Sequence, residues 1–442
     1  MGKSKYESTS RSKIRAITDK ANRKGKQQFT SLMHLFNEEY LEECFRELKA
    51  KAAPGIDGIT TKAYEQEVFK NLKGLVERLK ARTYRPQPVR RVYIQKPDKK
   101  EQRPLGIPAT EDKIVQMGLK NIIQAIFEPI FLKGSHGFRP GRSCHTAITQ
   151  LHEAVRNNPI NYVVEVDIKK FFDTVDHYWL IRCIEERVND PSLMRYIRRF
   201  LKAGVIETGK WRTSEEGTPQ GGIISPLFAN IYLHYVVDLW FEVEFKSKAQ
   251  GYCELVRYAD DFVALCQTER DADRFLKELD VRLDKFGLKI SQEKTKKIEF
   301  GRKAWYKAQR TKTKVPTFDF LGFTHYCDKS RKGYFMVKHK TAKTSFARKL
   351  KGISQWLCTT RTLLSPKDWW NILSAKLRGH YNYFGINGNM RSLSLFYYRV
   401  IRMVFKWINK RSQKRSMTWS AFGKYLKLYP LPLPKTMHQI WI

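Results

Sequence analysis

Residues 254–265 read E-L-V-R-Y-A-D-D-F-V-A-L, and this stretch decides the fold. Two short apolar runs rich in strand-forming residues, 255–256 and 262–265, flank the adjacent acids Asp260 and Asp261. The pattern predicts a β-hairpin with two carboxylates at or beside its turn. Adjacent acids between apolar strands are costly unless a cation neutralises them, and Mg²⁺ accepts carboxylate oxygens. A solvated turn is the alternative, because Asp is a common turn residue, and this stretch alone leaves the two interpretations level.

The composition indicates a folded and strongly basic protein. A chain of 442 residues suits two or three domains, and 42% hydrophobic and 13% aromatic residues suffice for a core. The 83 Lys and Arg against 44 acids give a net charge of +39, which attracts polyanions. An acidic membrane surface is usually met by one basic amphipathic helix rather than by charge along the whole chain. Nucleic acid is therefore the favoured partner.

The sequence contains no signal for export, lipid attachment or membrane insertion. The first residues lack an apolar segment, position 6 is not the Ser or Thr of a myristoylation site, and no run of about 18 apolar residues occurs. The seven cysteines include no C-x-x-C pair, so neither a disulfide framework nor a zinc site is expected. We expect a cytoplasmic protein that associates with the nucleoid when it acts on DNA.

The first part of the chain combines a basic arm with helices. Residues 1–30 are polar and basic, which predicts an arm that is mobile or ordered by RNA. Residues 29–51 and 61–83 have apolar residues at helical spacing. The turn-forming sequence A-P-G-I-D-G-I-T at 53–60 separates the two helical segments.

Two strand-forming segments, V-Y-I-Q and R-P-L-G-I-P, flank a basic loop after residue 95 and predict a second hairpin. Lys96 and Arg103 at its tip are placed to close over a triphosphate, because both side chains suit phosphate oxygens. An ordinary exposed basic loop is the alternative, and the residues alone favour it.

A buried helix is predicted over residues 113–132. The glycine-rich loop G-S-H-G-F-R-P-G-R-S at 134–143 is not a Walker loop, and a contact with template or RNA backbone is one role open to it. Residues 162–166 then predict a short apolar strand that ends on Asp167. An acid at that place is positioned as a metal ligand, and a helix N-cap is the alternative.

The sequence E-G-T-P-Q-G-G-I-I-S-P-L-F-A-N at 216–230 predicts a turn that leads into a helix from about Ser225. The glycines after Gln220 would let a nucleotide approach the backbone, and an ordinary loop-to-helix junction is the alternative. A strand–turn–strand segment with Lys294 in its turn is predicted over 288–300, and F-D-F-L-G-F at 318–323 predicts one further short strand.

From residue 331 onwards the charge becomes almost purely positive, with 23 Lys and Arg against a single acid, Asp368. Apolar residues at helical spacing predict a helical bundle in this part, followed by a partly helical tail over 411–442. Such a bundle would repel itself unless a polyanion covered it. We therefore interpret it as a nucleic-acid-binding domain.

Asp167, Asp260 and Asp261 together supply three acids on two predicted strands. Phosphoryl transfer with two metal ions requires two or three carboxylates that converge at one edge of a sheet. No Ser or Cys lies in the context of a nucleophile, so acyl transfer is not expected.

The ordered motifs resemble those of bacterial group II intron-encoded reverse transcriptases with a maturase, or thumb, domain. The matching motifs are A-P-G-I-D-G-I-T, R-P-L-G-I-P, H-G-F-R-P-G-R-S, V-D-I-K-K-F-F-D, G-T-P-Q-G-G-I-I-S-P-L-F-A-N-I-Y-L, R-Y-A-D-D-F, G-L-K-I-S-Q-E-K-T-K and F-L-G-F. The resemblance covers about residues 30–410 and implies an α+β right-hand polymerase. It places a basic arm and helical extension at 1–52, fingers and palm with an antiparallel sheet and helices at 53–330, a helical thumb at 331–410 and a basic tail at 411–442.

The resemblance also implies roles for individual residues. Asp167, Asp260 and Asp261 match the catalytic acids and Mg²⁺ ligands, the first two being the principal ones. The carbonyl of Ile168 is implied as a further ligand, and Phe172 as an aromatic gate that favours dNTPs over rNTPs. The remaining matches are Gln220 in the nucleotide pocket, Lys96 and Arg103 on the triphosphate, Lys294 as proton donor to pyrophosphate, and Phe320, Leu321, Gly322 and Phe323 in the primer grip.

The function implied is RNA-directed DNA polymerisation with two Mg²⁺ ions, for which Mn²⁺ can substitute, together with maturase activity in splicing and retrohoming. The implied partners are an RNA template and primer, group II intron RNA, target DNA and dNTPs. Many family members continue into a DNA-binding segment and an HNH endonuclease, and since the sequence ends at Ile442 without either, we expect the lineage that lacks the endonuclease. The alternatives are a host-adapted enzyme for DNA repair or anti-phage defence and an RNA-binding splicing factor without polymerase activity. An RNA-dependent RNA polymerase is disfavoured by the ring of Phe172.

Overall fold

The computed structural model describes residues 9–23, 27–95, 102–207, 210–212, 217, 221–411 and 417–441. Helices make up most of this part of the chain, as the spacing of its apolar residues predicts. The α-helices are α1 (Thr9–Arg23), α2 (Glu38–Arg46), α3 (Thr61–Glu65), α4 (Val68–Lys80), α5 (Thr110–Phe127), α6 (Cys144–Asn157), α7 (Phe171–Thr174), α8 (His177–Glu185), α9 (Pro191–Lys202), α10 (Ser225–Leu233), α11 (Glu269–Lys285), α12 (Arg302–Thr311), α13 (Lys343–Thr360), α14 (Pro366–Phe384), α15 (Met390–Ile408) and α16 (Trp419–Leu428). Short 3₁₀ turns lie at Met33–Leu35, Glu128–Ile130 and Lys246–Lys248, and π-helical turns at His234–Asp238 and Trp240–Phe245.

The strands of the described residues form three sheets, with the orders β2-β1-β4-β5, β6-β7-β3-β8 and β11-β10-β9. The strands are β1 (Val89–Gln95), β2 (Gln102–Ile107), β3 (Tyr162–Asp167), β4 (Val205–Glu207), β5 (Lys210–Arg212), β6 (Cys253–Tyr258), β7 (Asp261–Cys266), β8 (Lys296–Glu299), β9 (Phe318–Phe320), β10 (Phe323–Lys329) and β11 (Phe335–Thr341). Neighbouring strands are antiparallel, apart from the parallel pair β1 and β4. The predicted α+β class is confirmed.

The sheet β6-β7-β3-β8 is covered on both faces. Phe262 and Ala264 of β7 pack into a core built with the surrounding helices, whereas Val263 and Leu265 belong to a second core on the other face. Since successive residues of a strand point to opposite faces, a strand covered on both sides is apolar throughout. This explains the uninterrupted apolar run over residues 262–266.

The predicted hairpin across the basic loop is confirmed in its strands. β1 pairs antiparallel with β2, and Ile94 lies opposite Arg103. The residues between the two strands, Lys96 among them, lie outside the described ranges. β4 extends the sheet by pairing parallel with β1, which connects this hairpin to the segment after α9.

The prediction of a basic arm that is mobile or ordered by RNA is wrong for the residues that form α1, which is a helix packed on the protein's own core. Ile14 and Ile17 pack against the core and Ala21 is buried. These residues recur at positions i, i+3 and i+7, the spacing of one helix face. Because charged and polar residues surround this short apolar stripe, the composition of the segment did not indicate a packed helix.

The sequence F-D-F-L-G-F is a tight hairpin and not the single strand that we predicted. β9 ends at Phe320, β10 begins at Phe323, and the register places these two residues opposite each other. The turn residues Leu321 and Gly322 have φ values of 51° and 78°. Positive φ at both central residues is the signature of a type I′ hairpin turn. A leucine at position 321 did not indicate a left-handed conformation, because residues with a side chain seldom adopt it.

The helical part of the C-terminal region begins at α13, because the first residues after 331 form β11 against β10. Helices α13, α14 and α15 bury a common apolar core that includes Leu350, Leu357, Leu373, Leu377, Phe396, Val400 and Val404. Asp368, the acid that stands out in this region, stabilises the start of α14, since Ser365 Oγ donates to its carboxylate over 2.7 Å. No helix of the described ranges is long and apolar enough to cross a membrane.

Residues 435–441, named here the C-terminal strap, run back across the loop between α14 and α15. His438 N donates to the carbonyl of Gly385 over 2.9 Å, and Asn387 N donates to the carbonyl of His438 over 3.1 Å. At the end of the strap, Trp441 stacks on His152 of α6, with ring centroids 5.0 Å apart. The strap therefore connects the helical bundle to the layer that carries the central sheet.

Three buried histidines form a hydrogen-bonded chain beneath this strap. His325 Nε2 lies 3.3 Å from the carbonyl of Phe320, His339 Nδ1 lies 2.8 Å from His325 Nδ1, and His152 Nδ1 lies 3.2 Å from His339 Nε2. Because a carbonyl only accepts, His325 donates from Nε2, His339 donates from Nδ1 and His152 donates from Nδ1. Burial lowers the pKa of His152 and His325 to about 4 and also lowers the pKa of His339 well below its ordinary value, so the chain is neutral.

Candidate active site

Two aspartates face each other where strands of the central sheet end. Asp167 is the last residue of β3, Asp261 is the first of β7, and the register places them directly opposite. The carbonyl of Asp167 accepts from Ser291 N over 2.8 Å on the far side of β3. The two aspartates are therefore a non-hydrogen-bonded pair, in which facing side chains lie closest. Like charges at such a position destabilise a sheet unless a cation shares them.

Asp260 lies in the two-residue turn that joins β6 to β7. Tyr258 pairs with Asp261 across this turn, so Ala259 and Asp260 are its central residues. Ala259 has a φ of 57°, a left-handed conformation that costs energy in a residue with a side chain. The predicted hairpin is confirmed, and it places one carboxylate in the turn and the next at the start of the strand.

The pKa values of this face of the sheet reflect a surplus of negative charge. Burial raises the pKa of Asp261 to about 7, and the charges of Glu165, Asp260 and Asp167 act in the same direction. Glu165 lies two residues before Asp167 on the same face of β3, and burial with the charges of Asp319 and Asp167 raises its pKa to about 7 too. Sequence reasoning missed Glu165, although its period-two spacing from Asp167 was visible.

Lys294 reaches the acids from the turn that precedes β8. Its Nζ lies 2.7 Å from Oδ2 of Asp167, and both side chains are partly exposed. The turn is closed by Lys294 N, which donates to the carbonyl of Ser291 over 3.1 Å. The predicted turn position of Lys294 is thereby confirmed, and its ammonium lies directly on a carboxylate of the site.

Within the described part of the chain, no three His, Cys, Asp or Glu side chains are grouped closely enough to hold a metal ion as they stand. The donors of this site nevertheless fit a divalent cation, because they are hard carboxylate oxygens, and burial together with the neighbouring acids raises the pKa of Asp261. Ile168 adds a carbonyl. It is bridged to Ile290 through hydrogen bonds made by its neighbours Lys169 and Asp167, so its own carbonyl points away from residue 290.

Asp167 does not cap a helix, as the alternative interpretation had it, because α7 begins only at Phe171 and follows Lys170. Phe172 lies on this short helix and is half-buried, with its ring 5.3 Å from that of the buried Phe171. Gly217 packs on the same backbone, where a Cβ atom would lie 2.9 Å from the carbonyl of Phe172. The backbone of Phe172 is thus fixed while part of its ring remains accessible.

Arg257, which sequence reasoning did not single out, supports the turn formed by Ala259 and Asp260. Its guanidinium is fully buried and donates to Asp238 Oδ1 over 2.7 Å and to Ser135 Oγ over 2.8 Å. Nη1 donates to Asn230 Oδ1 over 3.1 Å and to the carbonyl of Ala259 over 3.0 Å. One side chain therefore links three separate segments to the strained turn residue.

An arginine within the otherwise apolar strand L-V-R-Y was the available signal for this network, since a buried charge requires partners. The partners come from distant parts of the sequence, and Asp238 lies on a π-helical turn. π-Helical turns are rare in proteins overall, but those that occur are often located at functional sites.

The loop over residues 134–143 packs against this hairpin. His136 N donates to the carbonyl of Arg257 over 2.8 Å, and a Cβ atom on Gly137 would lie 2.3 Å from Ala259 N. Arg139 is buried on Glu128 and on backbone carbonyls, so this arginine of the motif supports the loop and does not extend to a nucleic acid. Phe138, by contrast, has a φ of 56° and is 56% exposed beside the turn.

The predicted nucleotide-binding residues are described only in part. Lys96 and Gln220 lie outside the described residues, and Arg103 is placed only as a backbone position in β2. At Gly221, whose φ is 112°, the close backbone approach is to Gly106 of β2, because a Cβ atom there would lie 2.4 Å from the Gly106 carbonyl. This contact connects the glycine turn to the predicted triphosphate-binding hairpin.

The predicted primer-grip residues separate into two kinds. Phe320 and Phe323 are 1% and 0% exposed, so both belong to the core. The turn residues Leu321 and Gly322 between them are partly exposed. Tyr383 of α14 donates its hydroxyl to the carbonyl of Leu321 over 3.0 Å, which fixes the turn against the helical bundle.

The sequence from residue 94 to residue 325, more than half of the chain, matches the family model described as reverse transcriptase (RNA-dependent DNA polymerase). The chain belongs to the reverse transcriptase family. Its mixed helices and antiparallel sheets are those of reverse transcriptase fingers and palm, followed by a helical region. Divalent metal ions such as Mg²⁺ are general to this reverse transcriptase family, in agreement with the donor set of the site.

Among similar proteins are two from bacteria and one from yeast. The group II intron-encoded protein LtrA of Lactococcus lactis subsp. cremoris is 42% identical over 198 residues, 45% of this chain and 32% of LtrA. Protein YkfC of Escherichia coli K12 is 34% identical over 295 residues, 58% of this chain and 76% of YkfC. An uncharacterized 91 kDa protein in the cob intron of Schizosaccharomyces pombe is 32% identical over 217 residues, 48% of this chain and 26% of that protein. The match thus spans about a third of LtrA, and these reverse transcriptase relatives include intron-encoded proteins.

Proposed function

We propose that this chain is an RNA-directed DNA polymerase that adds deoxynucleotides to the 3′-hydroxyl of a primer. The observation that carries the proposal is the opposed pair Asp167 and Asp261 with Asp260 in the adjoining turn. Two-metal phosphoryl transfer uses carboxylates that converge at a sheet edge in this way. The family match over residues 94–325 supports the same reaction.

Asp167 and Asp260 are proposed as the principal ligands of two Mg²⁺ ions, the carbonyl of Ile168 as a further ligand and Asp261 as a secondary one. When bound, the ions would favour ionisation of the primer hydroxyl and stabilise the leaving pyrophosphate. The fit rests on the oxygen donors and on the raised pKa of Asp261, to which burial and the neighbouring acids both contribute. Mn²⁺ has the same preference for oxygen donors and should substitute.

The protein's own side chains account for the remaining steps in this proposal. Lys294, on Asp167 at 2.7 Å, would give a proton to the leaving pyrophosphate. The partly exposed ring of Phe172 would exclude the 2′-hydroxyl of an rNTP. Lys96, Arg103 and Gln220 are proposed to bind the triphosphate and base on the strength of their motifs, and the Leu321–Gly322 turn to contact the primer.

The domain boundaries follow as part of the proposal. An N-terminal extension would comprise residues 1–52, fingers and palm 53–330, the thumb 331–410 and a basic tail 411–442. The helical bundle of α13 to α15 supports the thumb assignment, and β11 would then belong to its base.

The deciding experiment compares Asp260→Ala with Asp280→Ala in primer extension on an RNA template. Both changes remove one acid, but Asp280 is exposed on α11. We expect Asp260→Ala to lose activity by at least about a thousandfold while template affinity stays within about twofold, because the carboxylate acts on the reacting phosphates. Asp280→Ala should retain full activity. Synthesis by Asp260→Ala at more than a few per cent of the unmodified rate would refute the metal assignment.

We also propose that the basic thumb binds group II intron RNA, as a maturase does. The surface of α15 supports this: Tyr398 is 57% exposed, and the Arg402 guanidinium lies 5.8 Å from its ring centroid. Exposed rings and cations together suit single-stranded RNA, which offers bases to stack and phosphates to neutralise. LtrA carries the name of a group II intron-encoded protein, which agrees with this partner. Target DNA would be a further partner, reached in the cytoplasm at the nucleoid.

Salt dependence tests the thumb proposal. Replacing Arg399 and Arg402 by Gln should reduce the slope of log affinity against log salt for intron RNA by about 0.7 for each phosphate that the thumb no longer neutralises. Arg310→Gln on α12 is the control outside the thumb. An unchanged slope in the thumb variant, or equal affinity for intron RNA and for an unrelated RNA of the same length, would favour a host-adapted polymerase without an intron partner.

A further inference from the structure

Two cysteines lie opposite each other at the end of the catalytic hairpin that is farthest from its turn. Cys253 begins β6, Cys266 ends β7, and the register makes them direct partners. Both thiols are buried, at 2% and 0% exposure. The other five cysteines lie on α2, α6, α8, β10 and α13.

The hydrogen bonds around the pair define its geometry. Gln267 N donates to the carbonyl of Tyr252 over 2.9 Å, so the next pair along is hydrogen-bonded between the two strands. The carbonyl of Cys266 accepts from Asn161 N over 3.0 Å and therefore points towards β3 and away from β6. Cys253 and Cys266 are thus a non-hydrogen-bonded pair, whose Cα atoms lie about 4.5 Å apart. That separation is within the range of about 4.4–6.8 Å that a disulfide bridges.

The electrostatics of the pair distinguish a nucleophile from its partner. Hydrogen bonding from the Cys266 thiol lowers the pKa of Cys253, whereas the same contact and burial raise the pKa of Cys266. Asp271 and Arg274 of α11 are the charged neighbours of both thiols. The thiolate is the reactive form of cysteine, so Cys253 is the side chain that attacks first.

Access to the pair comes from the edge of the sheet. β6 is an edge strand, and Cys253 is its first residue, directly after Tyr252, which is 37% exposed. Strand ends at a sheet edge open at a far lower free energy than the whole domain. Fraying of this end exposes Cys253 without unfolding the turn that carries Asp260.

We propose that Cys253 and Cys266 form a modification site, a cross-strand dithiol that hydrogen peroxide converts into an intramolecular disulfide. The Cys253 thiolate attacks one peroxide oxygen, which gives a sulfenic acid and releases hydroxide. Cys266 sulfur then attacks the sulfenic sulfur, its proton passes to the departing oxygen, and water leaves. In sum, two thiols and one peroxide yield one disulfide and two waters. The product is a covalent staple across the hairpin, and thiol reductants reverse it.

Peptide mapping of the folded full-length protein tests this site. The protein is treated with hydrogen peroxide, its remaining thiols are blocked with N-ethylmaleimide, and it is cleaved with trypsin. Cleavage after Lys248, Arg257 and Arg270 places the two cysteines on separate peptides, 249–257 and 258–270. We expect these peptides to appear as one disulfide-linked species in most molecules, and to separate after treatment with dithiothreitol.

Two variants and a second measurement complete the experiment. In Cys253→Ser, Cys266 should remain reduced and be blocked by N-ethylmaleimide, whereas Cys358→Ser, on α13, should leave the linked species unchanged. Peroxide should also raise the melting temperature of the unmodified protein by several degrees and not that of Cys253→Ser. If both cysteines of the unmodified protein are recovered blocked by N-ethylmaleimide, or if a different pair is linked, the proposal is overturned. Since the measured quantity is a peptide mass, it is independent of polymerase activity.

Discussion

The molecule contains two tight hairpin turns whose first central residue is left-handed, but the two turns differ in what stabilises them. In the catalytic turn Ala259 is left-handed, and in the turn between β9 and β10 Leu321 is left-handed. In each case a side chain holds the carbonyl of that strained residue: Arg257 holds Ala259, and Tyr383 holds Leu321. The catalytic turn also carries mutually repelling acids, whereas the second turn is apolar. The first therefore depends on charge neutralisation, and the second on packing and the hydrogen bond from Tyr383.

The largest expected effect comes from replacing Arg257, whose side chain supports the turn that carries Asp260. Arg257→Gln leaves the Asp238 carboxylate buried without its cation, which should lower the free energy of unfolding by roughly 3–5 kcal/mol. Polymerase activity should fall by about a hundredfold or more at temperatures where the variant is folded, because the turn that carries Asp260 loses its support. Urea unfolding and primer extension measure the two quantities.

Arg274→Lys, on α11 and away from the turn, is the control for a general loss of stability. If Arg257→Gln lost stability but kept full activity, activity would not depend on the support that Arg257 gives to the turn. The distinction drawn between the two turns would then be wrong.

The next effect concerns the histidine chain, which ends on the carbonyl of Phe320 beside the second turn. Burial holds the pKa of His152 and His325 at about 4, below the ordinary value of about 6.5, and also lowers the pKa of His339. Their stabilising contribution is complete above pH 6.5 and is lost as pH falls towards 4. At pH 5.5 His152 and His325 should each cost about 1.4 kcal/mol, and His339 should act in the same direction.

Unfolding by urea at pH 7.5 and pH 5.5 checks this expectation. His152→Gln should reduce the loss of stability at pH 5.5 by about 1.4 kcal/mol, since Gln can still donate a hydrogen bond but does not titrate. If His152→Gln lost as much stability between pH 7.5 and pH 5.5 as the unmodified protein, groups other than His152 would cause the loss.

The smallest expected effect is at the second turn itself. Tyr383→Phe removes the hydrogen bond to Leu321, which should lower stability by about 1 kcal/mol. If the turn contacts the primer, primer affinity should fall a few-fold with the rate of chemistry unchanged. Single-turnover extension at varied primer–template concentration separates these effects, and a fall in the chemical rate alone would assign the turn a different role.

The hairpin of β6 and β7 could be predicted well from the sequence because its information is local. Two short apolar runs with two acids between them define strands and turn within a dozen positions. The same holds for Asp167 at the end of β3 and for the proline at the start of α10. These parts of the site depend on short apolar runs or on single turn residues, which are visible within a short window of sequence.

The parts that escaped prediction depend on long-range contacts. Arg257 requires partners from three other segments, and the histidine chain joins α6 to β10 and β11. The α1 helix is stabilised by a stripe of Ile14, Ile17 and Ala21 on a distant core. Leu321 is left-handed, Gly322 follows it, and Tyr383 holds its carbonyl. Apart from the short stripe of α1, these contacts leave no periodic trace near the residue concerned.

The C-terminal strap has a consequence for how the protein is made. Trp441 covers His152, yet the ribosome synthesises it long after α6, β10 and β11 have emerged. Until then the three histidines lie at a surface of the nascent chain that the strap has not yet covered. Contacts between residues this distant in sequence form late in folding. The central sheet can fold during translation, but its junction with the helical bundle is sealed only when the strap arrives. A chain interrupted shortly before the strap would therefore hold an assembled hairpin of β6 and β7, whereas the helical bundle would not yet be fixed to the central sheet.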